Sequence, residues 1–403
     1  MKKYIIVILA FTLLTQCTKK TEISQWRGPN RDGVYLESNL LKEWPENGPE
    51  LIWKFDELGS GYSSAAVLED FVFTVGTVDS ISYVFKFDHS GNLVFRKELG
   101  PEWMTTFPGM NSTPLLYNGL GYILGGLGDL YCFDLNNGDI IWKENLITDY
   151  EGVNNTYGIT ENLIIEGDKL FCTPGGKEHN IIALNRFNGE LIWTCSGNGE
   201  GSNYGSPIIV EVAEEKYMIM TTDSSLLSVN TNNGELTWKY NLGSGNHNVP
   251  YYRDGNLFVM GVKPEGALKL KISANGKSVS KIWHSEFVNV GMGDAVVLGE
   301  KIYGANWKKR SVYCIDWNTG EAIDSVKISR MSTLIAADEM IYSYEFQGDF
   351  SLLQHNEKEF KTVSTFKVEG GIKNQHCAHP VIQNGRLYVR HDNSLFVYNI
   401  SNS

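Results

Sequence analysis

A strand–turn–strand unit that ends in tryptophan recurs along the chain, and this repeat limits the possible folds more than any other feature. In its clearest copies an Asn-Gly pair separates two apolar runs, and a tryptophan follows four residues after the glycine. These pairs are Asn137-Gly138, Asn188-Gly189 and Asn233-Gly234. Asn-Gly between apolar runs is a strong signal for a β-hairpin, because both residues tolerate a positive φ. The repeat therefore predicts a chain made of hairpins.

The period of the repeat predicts how these hairpins are arranged. Trp142, Trp193, Trp238 and Trp283 are 51, 45 and 45 residues apart. Each copy also has two apolar runs before its hairpin, and four strands in 40 to 50 residues is typical of a β-propeller blade. We count seven complete copies between about residues 62 and 368, and an eighth that begins near residue 375 without a tryptophan strand.

The strand missing from the eighth copy has a match near the N-terminus. Residues 50–55 read Glu-Leu-Ile-Trp-Lys-Phe, like the outer strand of a complete copy, but no blade precedes them. We expect this strand to complete the last blade, which would close the ring. The predicted fold is all-β, a single eight-bladed β-propeller of four-stranded blades with its ring closed by an N-terminal strand in the last blade.

Tryptophans in the same register of each copy are predicted to pack between blades rather than to bind a cofactor. They are Trp53, Trp142, Trp193, Trp238 and Trp283. Asp324 takes this position in the sixth copy, where we expect weaker packing.

The first residues predict export. Two lysines precede an apolar run over residues 4–14, and Leu14-Thr15-Gln16-Cys17 resembles the lipobox of bacterial lipoproteins, with Gln16 in place of a small residue. We predict a lipoprotein signal peptide over 1–16, lipidation of Cys17, a tether over 17–48 and the propeller over 49–403. The alternatives are an ordinary secretory signal or an uncleaved anchor.

The tether contains Trp-Arg-Gly-Pro-Asn-Arg-Asp-Gly, which either caps the channel, contacts a partner, or is a plain Gly/Pro-rich turn.

The blade pattern, Leu-Tyr-x-x-Asp followed by Asn/Thr-Gly-Glu and an apolar pair before tryptophan, resembles the pyrroloquinoline-quinone (PQQ) type of propeller repeat. The resemblance covers about residues 50–400. It implies one of two branches: quinoprotein alcohol dehydrogenases, which bind PQQ and calcium over the channel, or non-catalytic BamB-like lipoproteins of the outer-membrane assembly machine. Residues 25–33 and 173–177 resemble a third group, exported PQQ-like repeat proteins. Fold alone does not decide among them.

Candidate binding residues lie in the loops before the innermost strand of each blade, which surround one mouth of a propeller channel. They are Tyr62, Asn111, Tyr157, Tyr204, His247, Asp294 and His376. A polar, aromatic ring suits a small-molecule or peptide pocket, and the alternative is a set of solvated loop ends. His376 and His379 are three apart in an extended segment and point to opposite faces, so we predict no metal site and no catalytic residue there.

A PQQ site needs an aromatic floor, a cation near the quinone, calcium ligands and a general base. The catalytic branch also carries an adjacent Cys-Cys pair, which this chain lacks. Asn306, Trp307 and Lys308 are the best candidates for a remnant of such a site, and a solvated turn is the alternative. We therefore predict no cofactor, with PQQ and calcium as the alternative.

The charge and the N-terminus define the expected partners. The formal net charge is −12, which argues against a nucleic-acid partner because phosphates need a basic face. We predict a monomeric, non-catalytic binding or scaffold protein of the cell envelope, held by its N-terminal lipid on the periplasmic face of the outer membrane, with an envelope protein or peptide as partner. The alternatives are a PQQ- and calcium-dependent dehydrogenase with a minimal site, or a periplasmic propeller that binds a small ligand.

Overall fold

The computed structural model describes residues 22–154, 156–202, 204–243, 248–264, 266–289, 293–370 and 376–402. Over these ranges the protein is all-β, with eight sheets arranged as an eight-bladed propeller, which confirms the predicted fold. None of the described segments forms a helix with the length and apolarity to cross a membrane. Two predicted functional residues, Cys17 and His247, lie outside the described residues.

The strands are as follows. Before the first blade come β1 (Ile23–Ser24), β2 (Val34–Tyr35) and β3 (Glu50–Phe55). Blades 1 to 4 contain, four strands each, β4 (Ala66–Val67), β5 (Phe71–Val78), β6 (Ile81–Asp88), β7 (Leu93–Pro101), β8 (Leu115–Tyr117), β9 (Leu120–Leu124), β10 (Asp129–Asp134), β11 (Ile140–Asn145), β12 (Ile164–Glu166), β13 (Lys169–Cys172), β14 (Ile181–Asn185), β15 (Leu191–Cys195), β16 (Ile208–Val212), β17 (Glu215–Thr221), β18 (Ser225–Asn230) and β19 (Leu236–Asn241).

Blades 5 to 7 contain β20 (Tyr251–Arg253), β21 (Asn256–Val262), β22 (Gly266–Ile272), β23 (Val279–Ser285), β24 (Val296–Leu298), β25 (Lys301–Asn306), β26 (Ser311–Asp316), β27 (Ala322–Lys327), β28 (Ser332–Ala337), β29 (Met340–Glu345), β30 (Asp349–His355) and β31 (Phe360–Lys367). Blade 8 contains β32 (Val381–Gln383), β33 (Arg386–His391) and β34 (Ser394–Asn399), with β3 as its outer strand.

The outer hairpin of a blade forms where the repeat predicts it. In blade 3, Gly189 has a φ of 77°, and the side-chain oxygen of Asn188 accepts a hydrogen bond from the N–H of Glu190. Glycine tolerates this left-handed conformation because it has no Cβ, and the side chain of the asparagine holds the turn by accepting from the backbone two residues on. The local sequence is therefore enough to form this turn.

The ring closes through the N-terminal strand, as predicted. Strand β3 pairs antiparallel with β34, and Glu50 lies opposite Asn399. Residues from near the two ends of the chain thus share one sheet, so neither the first nor the last blade has an open face.

The five repeat tryptophans contact the neighbouring blade. Each is at most 9% exposed, and each indole N–H donates to a backbone carbonyl in the next blade. The pairs are Trp53 with His89, Trp142 with Arg186, Trp193 with Thr231, Trp238 with Gly276, and Trp283 with Trp317. In the sixth copy a carboxylate oxygen of Asp324 accepts a hydrogen bond of 2.8 Å from the N–H of Phe360. That interface therefore keeps a polar contact but lacks the indole ring.

The N-terminal segment of residues 22–35 lies inside the channel, and we call it the plug. Strand β1 pairs antiparallel with the end of β8, with Ile23 opposite Tyr117. Strand β2 pairs in parallel with the end of β28, with Tyr35 opposite Ala337. Because both inner strands run in the same direction along the channel, the plug enters and leaves through one end and turns around inside. Its pairing also covers the free edges of two inner strands.

After the plug the chain continues against blades 7 and 8. Trp44 is buried there, and its indole N–H donates to the carbonyl of Phe350. Its ring packs against Tyr342 and Phe366 at centroid distances of 5.9 and 5.5 Å. The region expected to be a tether thus contacts the propeller from residue 22 onward.

Candidate functional site

A cavity of about 370 Å³ lies at the end of the channel where the inner strands begin. Except for Trp26, which belongs to the plug, its lining comes from the loops that lead into those strands. The lining residues are Trp26, Tyr62, Phe107, Asn111, Tyr157, Thr160, Asn162, Tyr204, Asp294, Cys377 and His379. Five residues of the predicted ring are therefore brought together: Tyr62, Asn111, Tyr157, Tyr204 and Asp294.

Two buried arginines hold the plug in the channel. Arg27 is 1% exposed and donates to the backbone carbonyls of Asp32, Ala295 and Leu334. Arg31 is 3% exposed and donates to the carbonyls of residues 162 and 163. A guanidinium carries five donors, so each arginine can serve several carbonyls that the inner strands leave unpaired. The plug is thereby held inside the channel, with Trp26 in the lining of the cavity.

An aromatic row forms one side of the cavity. The ring of Phe107 lies between those of Tyr62 and Tyr157, at centroid distances of 5.5 and 5.4 Å, with edges toward faces. Tyr204 follows at 5.2 Å from Tyr157. Burial raises the pKa of both Tyr62 and Tyr204, so their hydroxyls stay neutral near pH 7. This side therefore offers apolar ring surface and uncharged hydroxyl groups.

The opposite side carries the only carboxylate among the described lining residues. One oxygen of Asp294 accepts hydrogen bonds from the side chain of Asn248 and the N–H of Val249. The other oxygen lies 3.8 Å from Nη1 of Arg27 and 3.7 Å from Nε2 of His379. Burial, together with the charge of Arg27, holds the pKa of His379 well below its usual value, so this histidine is neutral. The charge of Asp294 is thus balanced by Arg27 beneath it.

His376 does not line the cavity, although the sequence placed it in the ring. It is 1% exposed, shares a hydrogen bond with Tyr344, and stacks on His391 with ring centroids 3.4 Å apart. Its side chain is turned toward β29 and β33 rather than the channel. The alternation that separates His376 from His379 also puts Cys377 and His379 on the cavity side. That alternation was the available signal for His379, which the sequence analysis left out of the ring.

The predicted cofactor remnant also lies away from the cavity. Asn306, Trp307 and Lys308 belong to the hairpin between β25 and β26. The amide of Asn306 donates to the carbonyl of Phe287 and its oxygen accepts from the N–H of Lys309. Trp307 is 46% exposed. None of the three residues is part of the lining.

The lining residues that the structure describes do not fit PQQ with calcium. PQQ carries three carboxylates, but this part of the lining has no lysine or arginine. Calcium takes six to eight oxygen ligands, whereas the carboxylate of Asp294 is already bonded and faces a guanidinium. Among the described residues no group of three or more His, Cys, Asp or Glu side chains could hold a metal.

A second buried carboxyl lies behind the lining. Glu161 is 3% exposed and accepts hydrogen bonds of 2.9 Å from both the N–H and the hydroxyl of Thr173. Burial raises the pKa of Glu161 to about 7, and the charge of Arg31 in the plug opposes this shift. The protonation of Glu161 therefore changes near neutral pH, next to a residue that holds the plug.

Glu161→Gln is expected to remove a pH dependence of stability. A carboxyl with a higher pKa in the folded protein binds its proton more tightly there, so stability is lost as the pH rises from about 4.5 to about 7. The loss is about 3 kcal/mol at 1.36 kcal/mol for each unit of pKa. In urea unfolding, the free energy of unfolding of the variant relative to that of the wild type should therefore be higher at pH 8 than at pH 4. The exposed Glu321→Gln serves as control, and equal slopes for all three proteins would contradict the prediction.

Comparisons with known proteins agree with this architecture. The family profile described as outer membrane protein assembly factor BamB matches residues 47–326. BamB of Salmonella typhimurium is 26% identical over 110 residues, which cover 26% of this chain and 25% of that protein. The quinoprotein alcohol dehydrogenase PedH of Pseudomonas putida is 25% identical over 182 residues, which cover 41% of this chain and 29% of that protein. The aligned regions thus span less than a third of either relative.

A solved structure has the same fold over most of its length. BamB from Moraxella catarrhalis superposes with a TM-score of 0.61 at 15% identity, covering 85% of this chain and 95% of that one. At this identity the likeness concerns the fold alone. The matched profile, however, spans well over half of the chain and includes the blade repeats from which the resemblance was inferred. The chain therefore belongs to the family of PQQ-type propeller repeat proteins described as outer membrane protein assembly factor BamB.

Proposed function

We propose that this protein is a non-catalytic binding or scaffold protein of the cell envelope, and that the cavity is its ligand site. The observation that carries the proposal is the plug. It lies in the channel and supplies Trp26 as part of the cavity lining and Arg27 as the counter-charge of Asp294. A cavity built in this way is concave, lined on one side by aromatic rings and supplied with polar groups, which is the usual character of a binding site.

The proposed location is the periplasmic face of the outer membrane, with Cys17 as the lipid anchor. The lipobox-like sequence and the name of the BamB relatives support this placement. Glu22 is the fifth residue after Cys17, a span of at most about 18 Å. The chain enters the channel at the end of β8, opposite the cavity mouth. An anchored propeller would therefore open its cavity away from its own membrane, toward a ligand or envelope partner in the periplasm.

The alternative, a dehydrogenase with PQQ and calcium, is favoured only by family relationship. PedH is named a quinoprotein alcohol dehydrogenase, but it shares 25% identity over 41% of this chain. The described lining offers neither cations for the carboxylates of PQQ nor an unpaired set of calcium ligands. The charge of −12 likewise supports a partner other than nucleic acid.

Titration of PQQ and calcium chloride into the full chain in detergent tests the proposal. We expect no saturable binding by calorimetry or quinone absorbance, and no alcohol-dependent reduction of an electron-accepting dye. Tyr157→Ala is the control, because Tyr157 lines the cavity and is 39% exposed. One-to-one binding at micromolar or tighter affinity that this variant loses, together with dye reduction, would replace the scaffold proposal with the dehydrogenase.

A further inference from the structure

Resting on the proposed function, which makes the cavity a ligand site, we propose that the ligand is an uncharged carbohydrate ring. Three features of the cavity point to this ligand: its aromatic surface, its unpaired polar atoms and its charge balance. Each of these restricts the ligand independently of the others.

The aromatic surface calls for a ligand with an apolar face. The row of Tyr62, Phe107, Tyr157 and Tyr204 is continuous, with centroid distances of 5.2 to 5.5 Å. Trp26 adds an indole to the lining, and its ring meets that of His379 edge to face at 5.0 Å. Aromatic side chains combine apolar faces with polar edges, so they suit ligands of mixed character. A sugar ring presents such an apolar face through its C–H groups.

Polar atoms without partners call for hydroxyl groups on several sides of the ligand. Oδ1 of Asn111 and Nε2 of His379 are buried and have no hydrogen-bond partner in the described structure. The side chain of His379 is 7% exposed. The second carboxylate oxygen of Asp294 lies 3.7 Å from this Nε2, too far for a good hydrogen bond. A buried polar atom left unpaired is costly, so a small side-chain rotation that brings these atoms, now closed to solvent, against a ligand hydroxyl is favoured.

The polar groups of the lining come from several blades, which favours a ligand with more than one hydroxyl. Asn111 precedes the inner strand of blade 2, Asp294 that of blade 6 and His379 that of blade 8. Blades 2 and 6 are opposite each other in a ring of eight. A tyrosine side chain from a partner carries one hydroxyl, whereas a sugar carries hydroxyls around its whole edge.

The charge balance calls for a neutral ligand. A cation beside Asp294 would meet the positive charge of Arg27, which is 3.8 Å from the carboxylate. An anion would meet Asp294 itself, and the described lining has no cationic side chain to compensate. His379 is kept neutral by burial and by Arg27. Hydroxyl groups, which donate to carboxylate and amide oxygens and accept from N–H and O–H groups, fit this set.

Calorimetry with the full chain tests the inference, in a polyoxyethylene detergent because maltoside detergents carry a sugar. Maltose, cellobiose and N-acetylglucosamine are titrated, and N-acetyltyrosinamide represents an aromatic side chain. We expect saturable one-to-one binding of at least one sugar. Asn111→Ala and Tyr157→Ala should each weaken it at least tenfold, because one removes an unpaired acceptor and the other a ring. Trp307→Ala, an exposed aromatic outside the cavity, should leave it unchanged.

Each other outcome overturns the inference. No sugar binding by folded wild-type protein would do so, as would sugar binding that both cavity variants retain. Tyr157→Ala keeps the test valid if Asn111→Ala fails to fold, because Tyr157 is 39% exposed. Binding of N-acetyltyrosinamide in place of sugars, with loss in Tyr157→Ala, would overturn the carbohydrate but leave the cavity as a ligand site. Binding of PQQ would instead overturn the proposed function itself.

Discussion

Arg27→Met is expected to lower the free energy of unfolding by about 3–5 kcal/mol, the usual cost of removing one partner of a buried ion pair. The guanidinium is 1% exposed and lies 3.8 Å from the carboxylate of Asp294. Without it, Asp294 remains buried with its charge uncompensated, and the carbonyls of Ala295 and Leu334 lose a donor. Methionine keeps much of the side-chain volume, so the effect measures lost polar contacts more than a new void.

Urea or thermal unfolding followed by circular dichroism checks this prediction. Arg330→Met is the matched control, because Arg330 is exposed in the loop between β27 and β28. A surface change of this kind normally alters stability by no more than about 0.5 kcal/mol. If Arg27→Met unfolds no more easily than Arg330→Met, the contacts of Arg27 do not contribute to the stability of the propeller.

The fold could be predicted because its determinants are local and repeated. In the turn at Asn188-Gly189 only the glycine takes a positive φ, and the asparagine contributes the side-chain oxygen that accepts from Glu190. The tryptophan that follows lies in the outer strand that contacts the next blade. The number of blades can therefore be inferred from the spacing of these tryptophans. Closure followed from an unmatched strand near the N-terminus and a last copy that lacked one, now seen as β3 paired with β34. No long-range information beyond this counting was needed.

The cavity was predicted only in part, because its determinants are not local. Propeller geometry was enough to bring Tyr62 and Asp294 together, since both precede inner strands. Arg27, however, binds the carbonyl of Leu334, a backbone group 307 residues away that every residue type would supply. Nothing in the sequence distinguishes such an acceptor. His376 shows the same limit, because stacking on His391 turned it away from the channel.

Trp193→Ala is expected to cost about 3–5 kcal/mol, the range for removing a large buried aromatic side chain. Trp193 is 9% exposed, and its indole N–H donates to the carbonyl of Thr231 at 3.2 Å. Its ring lies 5.7 Å from that of Phe171 and covers the turn at Gly234. Alanine would leave a void at the contact between blades 3 and 4 and remove the donor to a buried carbonyl. The loss is measured as a shift of the urea midpoint.

Trp307→Ala is the matched control, because its indole is 46% exposed and Trp307 is not one of the five repeat tryptophans that contact the next blade. It should leave the midpoint within about 0.5 kcal/mol of the wild type. Because the ring is closed by β3, blades 3 and 4 cannot separate without straining the other interfaces, so Trp193→Ala should shift one cooperative transition. A new early transition, with the main midpoint unchanged, would show that blades unfold independently. Equal midpoints for both variants would show that the repeat tryptophans do not hold the ring together.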